Sequence, residues 1–226
     1  MEALVLAGGK GERLGASVPK PLVSVAGRPL VAYGVERLAA SGVERVIVAC
    51  AAGAEDAFTE ALDGLGPEIV PVGEPEPLGR GGGLRLAASA RKETGPVYAL
   101  NGDEIADVDL EALLASHRAR GLAATIVVAP LQSPFGVVDL SEDDLVTGFR
   151  EAPLLPHWVN AGLYVLDDEA VARLPERGDH EDSTFPELAA EGKLGAFRHE
   201  GLWNTVNTPK DLRRAEETLA EVGAAP

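Results

Sequence analysis

LVLAGGKGERLGASVPKPL, residues 4–22, runs from a short apolar stretch into a loop with glycines at 8, 9, 11 and 15 and basic residues at 10, 13 and 20. Leu4, Val5, Leu6 and Ala7 show no polar alternation, as expected of a strand covered on both faces. Glycines directly after such a strand let backbone N–H groups come close to an anion. Ligands of open α/β sheets bind beyond the carboxyl ends of the strands. The stretch therefore predicts a buried first strand followed by a phosphate-binding loop.

Working outward, apolar β-branched runs alternate with segments of helical period, the pattern of a mostly parallel sheet covered by helices. Strands are predicted near 2–7, 45–51, 68–72, 96–101, 123–130 and 158–166, and helices near 29–41, 54–63, 80–92, 109–120 and 209–222. Pro29 suits a first helical turn, Gly42 a helix end, and Asp109 and Thr208 helix caps. In the second half, FGVVDL (135–140) and WVNAGLYVL (158–166) stand close together, with the proline-containing connection EAPLLPH (151–157) between them. That predicts β-rich insertions over one end of the sheet. The fold class expected is α/β, a Rossmann-like three-layer arrangement with a mixed, mostly parallel sheet, as a single domain over 1–222 with a disordered tail at 223–226.

Hydrophobic residues make up 46% of the 226 and charged residues 25%, which places the chain among globular proteins. No apolar run approaches the roughly 18 residues that a membrane span requires, so no membrane association is expected. Met1 leads into Ala3–Ala7 without the basic start and cleavage site of a secretory signal, and a cytoplasmic location is expected. Cys50, the lone cysteine, reads as a core residue, and the four histidines have no zinc-binding spacing. The net charge of −16 argues against nucleic-acid partners, which are held by clustered Lys and Arg. Residues 1–30 invert that sign, with Lys10, Arg13, Lys20 and Arg28 against Glu2 and Glu12. A small anionic substrate accounts for the inversion.

Three phosphate loops compete to explain it. The P-loop fails because no Gly-Lys pair is followed by Ser or Thr. The dinucleotide loop fails because it must open straight into a helix and be answered by an acid after strand two. Here Pro19 and Pro21 interrupt any helix, and strand two ends in Cys50-Ala51-Ala52. What remains is a long loop wrapping a triphosphate, with Arg13 as a bidentate clamp and Lys20 as a point charge.

Gly8-Gly9-Lys10-Gly11-Glu12-Arg13-Leu14, then Pro19-Lys20-Pro21-Leu22 and Val25-Ala26-Gly27-Arg28-Pro29-Leu30, resembles the signature of the sugar-nucleotide pyrophosphorylases, the sugar-1-phosphate nucleotidyltransferases. Pro77-Leu78-Gly79-Arg80-Gly81-Gly82-Gly83-Leu84 resembles that family's nucleobase loop, and Leu100-Asn101-Gly102-Asp103 its metal-binding strand end. FREAP (149–153) and WVNAG (158–162) look like its sugar-binding strands, and WNTVNTPKDL (203–212) like its closing metal-binding turn. The motifs span nearly the whole chain in the family's order. The branch most resembled contains N-acetylmuramate-1-phosphate uridylyltransferase and mannose-1-phosphate guanylyltransferase.

The resemblance implies the nucleotide-diphospho-sugar transferase fold, with a nucleotide-binding half at about 1–120 and an acceptor-binding half at about 121–222. It implies an NTP and a phosphorylated acceptor, a sugar 1-phosphate, as partners, Mg²⁺ as cofactor, and pyrophosphate as a product. Leu6, Ala7, Gly8, Gly9, Gly11, Arg13, Gly79, Arg80, Gly81 and Gly82 are the expected nucleotide-binding residues. Asn101, Glu151, Asn160 and Gly162 are placed around the acceptor, Asp103 and Asn207 on the metal, and Arg13, Lys20 and Asp103 in catalysis. Three positions depart from the family pattern: Arg80 where threonine is common, Ala152 where lysine is common, and Thr205 where a metal-binding aspartate is common. The alternatives are a non-sugar acceptor, as in cytidylyltransferases or molybdenum-cofactor guanylyltransferases, and a nucleotide-binding regulatory subunit. Retention of Arg13, Lys20 and Asp103 argues for an enzyme.

Overall fold

The structure, a computed structural model, describes residues 1–8 and 18–222. Gly9, Gly11, Arg13 and the tail at 223–226 lie outside the described residues.

Seven strands form the central sheet, in the order β12 (Leu194–Arg198), β8 (Ala124–Gln132), β11 (Leu154–Leu166), β6 (Val97–Asn101), β1 (Glu2–Leu6), β4 (Arg45–Ala51) and β5 (Glu68–Glu74). Every neighbouring pair is parallel except those of β11, which runs antiparallel to both β6 and β8. Successive residues of β1 serve opposite faces, and both faces are covered. Ala3 and Val5 pack with α1 (Leu30–Ala40), α2 (Glu55–Ala61) and α4 (Leu110–Arg120) through Leu38, Phe58 and Leu113. Leu4 packs on the other side with α3 (Gly79–Ala88), α5 (Asp168–Ala172) and α6 (Thr184–Ala190) through Leu84, Ala170 and Leu188. Each fully buried Val, Leu or Phe among these contributes roughly 2 kcal/mol of burial. The layers α, β, α thus follow from the unalternating apolar strands. Among the described residues no helix is long and apolar enough to cross a membrane.

Local signals set the boundaries. Asp109 caps α4 by accepting the Ala112 N–H at 2.9 Å, and Gly121 ends that helix at φ +59°. Gly42, at φ +77°, follows the end of α1. Pro29 precedes α1 rather than opening it, being paired with Ser24 in the small ladder of β2 (Ser24–Val25) and β3 (Arg28–Pro29). The helix expected at 80–92 stops at Ala88. Pro156 lies inside β11, not in a connection: it falls where the register with β8 shifts between Leu154 and Trp158, so its missing N–H breaks no ladder bond.

Some elements have no counterpart in the sequence reading. Short α5 and α6 and edge strand β12 are too brief to show a period. Strands β7 (Glu104–Ala106) and β13 (Trp203–Thr205) form a two-stranded ladder apart from the main sheet. The expected β-rich insertion is present as a ribbon of β9 (Val137–Leu140) and β10 (Val146–Arg150). Helix α7 (Pro209–Val222) closes the described chain.

Candidate active site

Beyond the carboxyl ends of β1, β5 and β6 lies a cavity of about 540 Å³, a size that suits a nucleotide-sized ligand. Its wall includes Leu6 at the end of β1 and Gly8 after it, Glu74 at the end of β5, and Asn101 at the end of β6 with Asp103 and Glu104 after it. Gly102 makes the turn between Asn101 and Asp103 possible. Its N–H bonds the Leu6 carbonyl at 2.8 Å, and a Cβ there would stand 2.8 Å from that same oxygen. Any side chain would push the Asp103 strand end off β1.

Lys20 enters from a short 3₁₀ turn, Lys20–Leu22, with Pro19 before it and Pro21 within it. The two prolines restrict the backbone on both sides of the lysine, so its stem is aimed before any ligand arrives. Its ammonium donates to Asp103 Oδ2 in a short contact and to Asn207 Oδ1 at 2.7 Å. Asn207 is in turn fixed by donating to Thr205 Oγ1 at 2.8 Å, and its N–H reaches Asp211 Oδ2 at 3.1 Å. The β7–β13 ladder pairs Glu104 with Thr205, and the Val206 N–H bonds the Asp103 carbonyl at 3.1 Å. That ladder brings together Asp103 and Asn207, which are far apart in sequence.

Asp103 and Asn207 therefore offer a carboxylate and an amide oxygen converging on one point, and the group at that point is a cation. Beside them the buried Asn101 Oδ1 has no hydrogen-bond partner among the described residues. These hard oxygen donors fit a divalent ion of the Mg²⁺ kind, which keeps waters and takes phosphate oxygens. Among the described residues no three or more His, Cys, Asp or Glu side chains cluster as a metal cage. An ion here would complete its shell from solvent and ligand.

Glu104 is held apart from this pair. Burial, aided by the charge of Asp103, pushes its carboxyl up to about 8, against hydrogen bonds from Trp203 and Asn101. The Trp203 ring N–H donates to Glu104 Oε2 at 2.8 Å. Gly162, at φ +69°, makes room here: a Cβ would lie 2.5 Å from Asn101 Nδ2 and 2.9 Å from Glu104 Oε1.

The opposite wall comes from the start of α3. Gly79 and Arg80 line the cavity together with Asp179. Arg80 is anchored twice: its N–H donates to Asp179 Oδ1 at 2.8 Å and its guanidinium to Asp179 Oδ2 at 2.9 Å. A second guanidinium nitrogen lies 2.9 Å from Glu181. The Arg80 hydrogen bonds hold the Asp179 carboxyl below the usual carboxylate range. Glu74 stands between these walls. Burial raises its carboxyl, Oε2 accepts the Leu78 N–H at 3.2 Å, and Oε1 sits beside Gly8 and Gly83 where side chains would collide with it.

The predicted residues fall into three groups. Leu6, Gly8, Lys20, Gly79, Arg80, Asn101, Asp103 and Asn207 are brought together on the cavity. Ala7 is buried behind it, and Gly81 and Gly82 face the 175–180 segment, both N–H groups bonding the Gly178 carbonyl. Asn160 bonds the Tyr164 hydroxyl at 2.9 Å and the Gly162 N–H at 3.0 Å, while Glu151 stands by Gly136 on the ribbon; neither lines the cavity. Sequence reasoning missed Glu74, Glu104 and Asp179. Glu74 was within reach of the carboxyl-end rule, being the last residue of its strand. Asp179 gives no local signal.

Residues 2–222 match the family described as nucleotidyl transferase. A mannose-1-phosphate guanylyltransferase catalytic subunit beta of Drosophila pseudoobscura pseudoobscura is 35% identical over 222 residues, covering 93% of this chain and 60% of that protein. A mannose-1-phosphate guanylyltransferase of Mycobacterium tuberculosis is 35% identical over 240 residues, covering 100% of this chain and 66% of that protein. The chain spans less than two thirds of the length of either relative. In the solved structure of HddC from Yersinia pseudotuberculosis the same fold recurs, with a TM-score of 0.75 at 22% identity over 96% of this chain and 99% of that one. The chain belongs to the nucleotidyl transferase family.

Proposed function

We propose that this protein transfers a nucleotidyl group from an NTP to a sugar 1-phosphate, releasing pyrophosphate, and that the pair is GTP with a hexose 1-phosphate such as mannose 1-phosphate. The observation that carries this reading is the convergence of Lys20, Asp103 and Asn207 at the mouth of a nucleotide-sized cavity beyond the carboxyl ends of the strands. The names of the relatives support guanylyl transfer. So does Glu74: a half-buried carboxylate in the cavity wall is an acceptor matched to the two adjacent N–H donors on one edge of guanine, which uracil lacks. On this reading residues 1 to about 120 bind the nucleotide and residues from about 121 to 222 the acceptor.

In the reaction an oxygen of the acceptor phosphate attacks the α-phosphorus in line, forming one P–O bond as the bond from that phosphorus to the β-phosphate oxygen breaks. Pyrophosphate leaves with the bonding pair. The protein forms no covalent intermediate and acts by positioning and by charge. Lys20 neutralises charge shared by the α-phosphate and the acceptor phosphate, and Arg13 with the loop N–H groups holds the departing pyrophosphate. Asp103 and Asn207 would hold Mg²⁺, which supplies Lewis-acid stabilisation of phosphate charge when bound. Asn101, Glu151, Asn160 and Gly162 belong to the acceptor side.

A screen of pyrophosphate release with GTP, UTP, dTTP, CTP and ATP against a panel of sugar 1-phosphates tests this. Turnover is expected with GTP and a hexose 1-phosphate, and Asp103→Ala is expected to lower it about 10²-fold or more while leaving the thermal transition in place. Silence across the panel with NTP still bound, or near wild-type rates for Asp103→Ala, would overturn the proposal.

A further inference from the structure

At the start of α3 the backbone N–H groups of Arg80, Gly81 and Gly82 all bond to the protein itself. Gly81 and Gly82 donate to the Gly178 carbonyl at 2.9 and 3.2 Å, and Arg80 donates to Asp179 Oδ1 at 2.8 Å. The Leu78 N–H just before them donates to Glu74 Oε2 at 3.2 Å. A helix N-terminus holds an anion through such N–H groups. Here protein acceptors occupy them, and the carboxylates of Glu74, Asp179 and Glu181 stand beside them. Phosphate charge is therefore drawn across the cavity to Lys20, and an uncharged part of the nucleotide meets α3.

Arg80 supplies donors of another kind. Its guanidinium Nη2 bonds Asp179 Oδ2 at 2.9 Å and Nη1 lies 2.9 Å from Glu181, contacts that engage two of its five N–H donors. The side chain lines the cavity and is 51% exposed, so ligand atoms can reach the others. The two carboxylates balance its charge and set its plane, which suits hydrogen bonding to a neutral group.

We infer that Arg80 is a specificity-determining residue that donates to N7 and O6 of guanine, and that Asp179 is the positioning residue that aims it. The inference rests on the reading of GTP as the nucleotide. Guanine carries along one continuous edge the acceptors N7 and O6, then the donors N1–H and N2–H₂. Arg80 stands two residues beyond the N–H that holds the Glu74 carboxylate, so this wall offers donors beside an acceptor. A planar guanidinium can donate to N7 and O6 together. Adenine and cytosine would turn an amino group toward Arg80 and a lone pair toward Glu74, both repulsive. Uracil would satisfy one hydrogen bond on each side but lacks N7 and the second N–H donor.

Isothermal titration of the intact chain with Mg²⁺ and, in turn, GTP, ATP, UTP, ITP and 7-deaza-GTP reads base choice without any acceptor. The wild type is expected to bind 7-deaza-GTP, which lacks N7, about tenfold or more weaker than GTP. Arg80→Thr is expected to remove most of that ratio, while ITP, which lacks the 2-amino group, stays weaker than GTP because Glu74 is intact. Asp179→Asn keeps an acceptor for the Arg80 N–H but turns an amide nitrogen toward the guanidinium. It is expected to lower the ratio in part, and to add nothing in an Arg80→Thr background. A merely structural tie, or a charge for phosphate, would weaken all five nucleotides alike, so an unchanged ratio in Arg80→Thr overturns the inference. An unchanged ratio in Asp179→Asn overturns the part given to Asp179. A wild type that prefers GTP yet binds 7-deaza-GTP equally well overturns the inference alone, whereas one that does not prefer GTP to ATP and UTP overturns the guanine reading and the inference with it.

Discussion

Lys20 holds the place that the ligand chemistry assigns to a divalent ion. Its ammonium satisfies Asp103 and Asn207 together, so in the ligand-free protein the two oxygens are already neutralised. An ion binding between them has to displace that charge, and a divalent ion and an ammonium about 4 Å apart repel by about 8 kcal/mol even at an effective dielectric near 20. Incoming phosphates relieve the conflict by drawing the lysine toward themselves, which couples metal binding to nucleotide binding. Lys20→Met keeps the stem and removes the charge. It is expected to raise the affinity of the nucleotide-free protein for Mn²⁺ by about tenfold or more while turnover falls. Electron paramagnetic resonance titration of free Mn²⁺ reads this directly, and unchanged or weaker binding in the variant would show that the lysine does not compete.

At the scale of elements, α3 shows what the sequence made legible and what it did not. Gly79, Arg80, Gly81 and Gly82 were read together as a nucleobase loop, yet only Gly79 and Arg80 line the cavity. Gly81 and Gly82 are small because the 175–180 segment lies against them: a Cβ on Gly81 would stand 2.6 Å from Pro175 Cγ and 2.8 Å from the His180 nitrogen. Alanine normally stabilises a helix interior by about 1 kcal/mol over glycine. For Gly81→Ala the sign reverses, with an expected loss of about 1–3 kcal/mol from overpacking, visible as a lower urea midpoint; a higher midpoint would refute the packing argument. The strands and long helices were legible because burial on both faces and helical period leave marks within a dozen residues. Lys20, Asp103 and Asn207 were legible because each sits in a motif that resembles the family's: Pro19-Lys20-Pro21-Leu22, Leu100-Asn101-Gly102-Asp103 and WNTVNTPKDL. Asp179 was not, since it reaches Arg80 through packing between segments about a hundred residues apart. Short α5 and α6 and the β7–β13 ladder were likewise set by tertiary contact, being too brief to carry a period.

For the molecule as a whole, the same 175–181 segment ties stability to pH. His180 is fully buried, with its ring edge-on to Tyr164 at 5.2 Å and to Phe185 at 4.7 Å; neither ring nitrogen has a hydrogen-bond partner among the described residues, and Nδ1 lies 3.3 Å from the Glu181 carboxylate. Burial, with the Arg80 charge adding, lowers it to about 4. His117, buried and 3.0 Å from Thr125 Oγ1, is lowered in the same direction, again mainly by burial. Below about 6.5 the unfolded chain binds protons on these rings that the folded protein refuses, for His180 down to about 4, so stability falls as pH falls through that window. For His180 the loss approaches about 3 kcal/mol at its lower edge. Glu104 acts in the opposite sense: raised to about 8, it favours the folded state at low pH and loses that contribution as pH rises from about 4.5 through 8. His180→Phe places an apolar ring among Tyr164 and Phe185 and removes two unpaired polar atoms. Urea unfolding near pH 7 and near pH 5 is expected to show a smaller drop in midpoint for the variant than for wild type, with the pH 7 midpoint equal or higher. Because the other titrating groups are common to both proteins, the difference between the two drops reports the ring together with the Glu181 carboxylate beside it, and an equal drop in both would mean that His180 does not titrate as a buried neutral histidine.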